Sequence, residues 1–110
     1  MNKNIIVLSN NADFCMNVTH NNSSLGYISS FPSNSKEMVG IKSDVVIVDL
    51  NDSSMFPFEI IKKDFILIGV MNKLNKNIER KAKNNYYDIV FTKKMFISNY
   101  QTIIKQVVNA

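Results

Sequence analysis

Four short segments of the chain are apolar without interruption: Ile5-Ile6-Val7-Leu8, Val45-Val46-Ile47-Val48, Phe65-Ile66-Leu67-Ile68-Gly69-Val70 and Ile89-Val90-Phe91. They are rich in β-branched and aromatic residues and do not alternate with polar ones, which is the pattern of strands covered on both faces of a parallel sheet. A fifth segment, Tyr27 to Phe31, is more polar and alternates, so it predicts an edge strand. Helical patterns lie between them. Asp13 to Ser23 places Phe14, Val18 and either Cys15 or Met16 on one face, with Asn10, Asn11 and Asp13 available to cap its first turn. Ser35 to Ile41 is short and stops near Gly40, and Pro57 to Lys63 starts on a proline and offers Phe58, Ile60 and Ile61 to a core. Asn77 to Asn85 is mostly polar. Ile97 to Val108 has the three-four spacing of an amphipathic helix through Ile97, Tyr100, Ile103, Ile104, Val107 and Val108.

Strand and helix therefore alternate five times with no internal repeat, linker or low-complexity tract. This predicts one α/β domain over residues 1–110, a three-layer, doubly wound sheet of five parallel strands with helices on both faces. Such folds place their working groups at the carboxyl ends of the strands. Here those groups are Ser9-Asn10, Asp49, Met71-Asn72 and Lys93-Lys94.

Composition narrows the function classes. A chain of 110 residues that is 45% hydrophobic, with seven Phe and four Tyr, has enough bulk to fold and is not a disordered tail. The lone Cys15 cannot form an intramolecular disulfide, and the four apolar residues near the start are too few for a signal-peptide core, so a cytoplasmic location is expected. No apolar run approaches the length of a membrane span. The Asn-Xaa-Ser/Thr triplets reflect a high Asn and Ser content. The net charge is +4, and twelve of the thirteen basic residues are Lys, a bias that an AT-rich genome produces without selection for a nucleic-acid partner. No G-x-G-x-x-G or P-loop spacing occurs, and the Ser9-Asn10-Asn11 loop lacks glycines, which argues against a flavin or nucleotide site.

An aspartate ending the third strand (Val45 to Asp49) and a lysine ending the fifth (Asp88 to Lys93) make the whole chain resemble the receiver domain of bacterial two-component response regulators. Gly26-Tyr27, sixteen residues after Asn10, falls about where that family's first helix turns into its second strand. The resemblance implies a flavodoxin-like strand order 2-1-3-4-5, with the second and third helices shortened. It makes Asp49 the phosphoacceptor position and Lys93 the lysine that pairs with the phosphate.

The other parts of that machinery depart from the family. Ser9 and Asn10 are neutral where an acidic pair would hold Mg²⁺, and a strongly hydrated cation binds where carboxylate charge compensates it. Met71 stands at the Ser/Thr position of strand four, and Val90 at the switch aromatic, flanked by Tyr87 and Phe91. The resemblance thus implies an atypical receiver with no cofactor beyond weak Mg²⁺ binding, working through protein contacts. The alternative is a phosphorylatable receiver in which a histidine kinase loads Asp49 and Asp13 or Asp52 substitutes for the lost acids. In structural terms, Asp49 caps a loop or pairs with Lys93, His20 is a surface histidine, and Cys15 is a small core residue. Lys76, Arg80, Lys81 and Lys83 make the fourth helix basic. That helix belongs to the face, made with strand five and helix five, on which the family docks a second protomer or an output domain. The expected partners are therefore an acidic protein, a second copy, or an output domain beyond Ala110, with nucleic acid reached only through the latter.

Overall fold

The computed structural model describes residues 3–33, 37, 43–51 and 64–109. Five strands form one parallel sheet: β1 (Asn4–Leu8), β2 (Ile28–Ser30), β3 (Val45–Asp49), β4 (Ile66–Met71) and β5 (Ile89–Thr92). Their order is β2-β1-β3-β4-β5, as the resemblance implied. Four helices are described: α1 (Ala12–Leu25), α2 (Lys76–Asn84), α3 (Lys93–Ser98) and α4 (Tyr100–Val108). The expected helices at Ser35 to Ile41 and Pro57 to Lys63, and with them the shortening of the second and third helices, lie outside the described residues.

The period of two along a strand sorts each apolar run into two cores. Ile5, Val7, Val45, Ile47, Ile68 and Val70 face Phe14 and Val18 of α1 and Phe96, Tyr100 and Ile104 of α3 and α4. Ile6, Leu8, Val46, Val48 and Leu67 face the other way, toward Leu50, Ala82 of α2 and Tyr87. Both sides of β1 and β3 are closed, which is why those strands read as continuous apolar runs. β5 differs from that expectation. It is the second edge strand, Ile89 is 37% exposed, and only its inner side is paired.

The amino ends of β3 and β5 share one device. Asp44 accepts from Asn4 N–H with a carboxylate oxygen (2.9 Å), while its own N–H donates to Asn4 O (2.9 Å). Asp88 treats Leu67 in the same way, at 2.8 and 2.9 Å. Each aspartate extends a ladder by one pair at a point where the neighbouring strand would otherwise leave a donor open.

Helix α1 starts at Asn11, whose Oδ1 accepts from Phe14 N–H (3.0 Å). It ends at Gly26, whose φ of 73° lets Tyr27 N–H reach back to Asn22 O (2.8 Å). Cys15 is partly buried, whereas Met16, the other residue considered for the inner face, is 70% exposed. The carboxyl-terminal helix also departs from expectation. In place of one helix from Ile97 there are two, beginning at Lys93 and broken at Asn99. Thr92 Oγ1 caps the start by accepting from Met95 N–H (3.3 Å). Asn99 turns its side-chain amide onto Met95 O (3.0 Å), a local bond that competes with the helical ladder.

A polar contact joins these helices inside the apolar layer. Tyr100 Oη donates to Asn22 Oδ1 (2.6 Å), and Asn22 Nδ2 donates to Ser29 Oγ (2.8 Å), so α1, α4 and β2 meet at one buried amide. Removing the phenol oxygen would leave the amide oxygen dry and without that donor. Tyr100→Phe is therefore expected to lower the unfolding free energy by about 1–3 kcal/mol in urea titration. A variant as stable as the parent would show that the bond contributes nothing.

Candidate functional site

The carboxyl ends of β1 and β3 and the start of α3 converge on Asp49, the last residue of β3, whose side chain is only 4% exposed. A carboxylate held away from water needs partners, because desolvation disfavours its charge. Three are present. Lys93 Nζ lies 2.7 Å from Oδ2. Ser9 Oγ donates to the same oxygen at 2.7 Å. Asn51 N–H donates to Oδ1 at 3.1 Å.

Each partner is placed by local structure. Ser9 follows β1, and its hydroxyl oxygen accepts from Asn11 N–H (3.1 Å), so the residue that caps α1 also orients Ser9. Lys93 is the first residue of α3 and crosses to β3. Lysine is electrostatically unfavourable at a helix start, and the aspartate offsets this. Its ammonium sits 5.8 Å from the centroid of the Phe14 ring. Below it, Phe96 packs against Phe14, Phe91 and Tyr100, with centroids 6.2, 5.6 and 5.2 Å away, which gives the ion pair an apolar floor. Asn51 receives Asn72 N–H on its side-chain oxygen (2.6 Å) and so links the β3 and β4 ends.

The remaining sequence-derived positions divide clearly. Met71 is fully buried as the last residue of β4 and has no hydroxyl to offer. Asn10 and Asp13 are exposed beside the start of α1, and His20 is exposed further along it. Asp52 lies outside the described residues. Lys76, Arg80, Lys81 and Lys83 are exposed on α2, away from Asp49 in the chain and on the opposite face of the sheet from α1. Among the described residues no three His, Cys, Asp or Glu side chains cluster in metal-binding geometry.

The donor set at Asp49 does not fit a resident Mg²⁺. That ion needs six oxygens in near-ideal geometry and compensating negative charge. Here one carboxylate carries three donors, and an ammonium already supplies the positive charge at hydrogen-bond distance. What the arrangement does chemically is neutralise and immobilise Asp49 while tying α3 to β1 and β3. Asp49, Lys93 and Ser9 stand at strand ends and are legible in the sequence, whereas the part played by the Asn51 N–H is not. The signal for it is its place two residues after the aspartate, where an Asx-type turn brings its N–H back to the carboxylate.

No protein-family model matches the chain, and no curated protein matches its sequence. Solved structures do match. The BeF3-activated receiver domain of DrrB superposes with a TM-score of 0.84 at 14% identity, over 100% of both chains. Chemotaxis protein CheY4 of Vibrio cholerae gives 0.82 at 14% identity, over 97% of this chain and 99% of that one. The response regulator DrrB, a Thermotoga maritima OmpR/PhoB homologue, gives 0.75 at 13% identity, over 96% of this chain but 54% of its own. The chain thus has the fold of response-regulator receiver domains.

Two outcomes test the site. Lys93→Met would leave a buried carboxylate without its counter-charge and is expected to cost about 3–5 kcal/mol in denaturant unfolding, partly recovered in the Lys93→Met/Asp49→Leu double variant. A single variant within experimental error of the parent would refute the coupling. Cys15, whose thiol donates to Ser9 O at 3.5 Å, reports on the same corner. Burial pushes its thiol above the ordinary value of 9.0, with the Asp49 charge adding to the rise and a Ser9 hydrogen bond and the Lys93 charge opposing it. The pH midpoint of its reaction with an aromatic disulfide reagent should therefore lie above that of glutathione. An equal or lower midpoint would contradict the burial.

Proposed function

We propose that this domain is an atypical receiver, a regulatory module that acts by protein–protein contact without conventional Mg²⁺-dependent phosphorylation of Asp49. The observation that carries this reading is the closure of Asp49 by Lys93, Ser9 and Asn51 N–H on a nearly inaccessible carboxylate. An attacking carboxylate needs a free oxygen and a cation to bridge it to the phosphoryl group. Here the oxygens have donors, and the cation is fixed as part of α3. The neutral Ser9 and Asn10 and the apolar Met71 support the same reading, since none supplies charge or a hydroxyl to a phosphoryl group.

In this reading the Asp49–Lys93 pair holds one conformation in place of a phosphate-driven equilibrium. Signalling then depends on what docks on the domain. The face formed by α2, β5 and the α3–α4 pair is the one we assign to an output domain, a protein partner or a second copy of the chain. Any contact with nucleic acid, and any transcriptional role, falls to that output domain. No helix among the described residues is long and apolar enough to cross a membrane, which accords with a cytoplasmic place for such a module. The domain itself is not assigned an enzymatic activity.

The rival reading keeps Asp49 as the acceptor of a phosphoryl group from a histidine kinase. It is favoured by the position of Asp49 at the end of β3 beside Lys93. Incubation with Mg²⁺ and acetyl phosphate, followed by intact mass measurement, separates the two. Our expectation is an unmodified mass. A stoichiometric phosphoryl adduct that disappears in Asp49→Asn would replace our reading with the rival.

A further inference from the structure

Charge is spread along this chain except in one place. Residues 14–35, which include most of α1 and all of β2, contain no Asp, Glu, Lys or Arg, and the next longest stretch without one is residues 95–104. A surface helix and an edge strand normally carry charges, which keep them hydrated and block pairing between molecules. Here the outward residues of α1 beyond Asp13 are Met16, Asn17, Thr19, His20, Ser23 and Ser24, all exposed. Several of their donors are already used. Asn17 Nδ2 donates to Asp13 O (2.9 Å), Thr19 Oγ1 to Cys15 O (2.8 Å) and Ser24 Oγ to His20 O (3.3 Å), each one turn back along the helix. Covering this face therefore costs less than covering one lined with ammonium and carboxylate groups.

The same face offers both a recess and a projection. An open groove of about 460 Å³ separates α1 from the residue that follows β2, and its walls are Cys15, Met16, Thr19, His20, Ser23 and Phe31. Phe31 is 42% exposed there, and the thioether side chain of Met16 is 70% exposed. Methionine and phenylalanine on a surface depleted of charge have the composition of an interface core.

We propose that two copies of this domain associate through this face, α1 against α1 about a two-fold axis, with Met16 of each copy seated in the groove of the other against Phe31. An isologous contact requires projection and recess on one surface, and a flexible thioether suits an aromatic wall. Charge selects the occupant. An acidic or basic partner finds nothing on α1 beyond Asp13 to pair with, whereas a second copy brings a surface equally free of charge. The basic helix α2 packs on the opposite face of the sheet from α1, so copies joined through α1 keep their α2 helices apart with both sheets between them. The contact is thus separate from the α2–β5 face and independent of whether Asp49 accepts a phosphoryl group. Helix α1, with 14 residues, is about 21 Å long. A contact of that length buries less than a standard interface, so the dimer is weak, half-formed at about 100 µM.

Sedimentation velocity across about two decades of concentration around that value, with reductant present so that Cys15 cannot link copies, is expected to show the parent passing from monomer to dimer. Met16→Glu brings like charges together across the contact and should weaken association about tenfold or more. Met16→Lys should do the same, and an equimolar mixture of the two variants should regain the dimer, because each now complements the other. Phe31→Ser removes the groove wall and should weaken association about fivefold, which keeps the test open if the charged variants fail to fold by circular dichroism. A parent that stays monomeric throughout would overturn the proposal. So would a dimer unchanged in both Met16→Glu and Phe31→Ser, or one that responds only to Lys76→Glu/Arg80→Glu on α2.

Discussion

A carboxylate at the dry end of a central strand is the constraint around which this molecule is organised. Asp49 ends β3 between β1 and β4, where the neighbouring side chains are aliphatic, and a bare charge there would be costly. Lys93 compensates it from the start of α3, Ser9 from the end of β1, and Asn51 N–H from the turn that follows. The ion pair thereby fixes where the chain leaves β5 and turns back over the sheet as α3. It also explains why a helix can begin on a lysine, which the peptide dipoles alone would disfavour.

The same economy of partners runs through the rest of the chain. Asp44 and Asp88 satisfy strand ends at the amino-terminal side of the sheet, and Asn22 gives its backbone oxygen to the α1 terminus and its side chain to Tyr100 and Ser29. Of these only Asn22 is buried, and each of the three has hydrogen bonds within the chain where elements meet. Buried polar groups satisfied in this way help to specify one arrangement of the elements as well as a stable one.

Charge is distributed on a different principle. At Asp49 the opposite charges are adjacent and nearly dry, so they act on the fold. On α2 the like charges stand together in solvent, where they contribute little to stability and set a local positive field. The two ends of the molecule's electrostatics thus have separate roles, a closed pair inside and an open patch outside.

The periodicity of the chain was sufficient for most of the architecture. Ile5 to Leu8 and Val45 to Val48 have no polar position, and only a sheet covered on both faces makes that compatible with folding. Asp49 and Lys93 were legible because they interrupt or follow such runs. Other features were not legible, because they depend on residues distant in sequence or on competition between local bonds. Nothing near Asn22 announces Tyr100, which meets it 78 positions later. The break at Asn99 is hidden by an amphipathic pattern that continues across it. The edge position of β5 follows from strand order, which its own residues do not encode. By itself, then, the sequence determined which segments bury both faces and which charged residues stand at their ends, because burial imposes a period on the chain. Tertiary structure alone decided that Lys93, Ser9 and Asn51 close on one carboxylate, because their meeting is set by the packing of strands and helices and by no spacing along the chain.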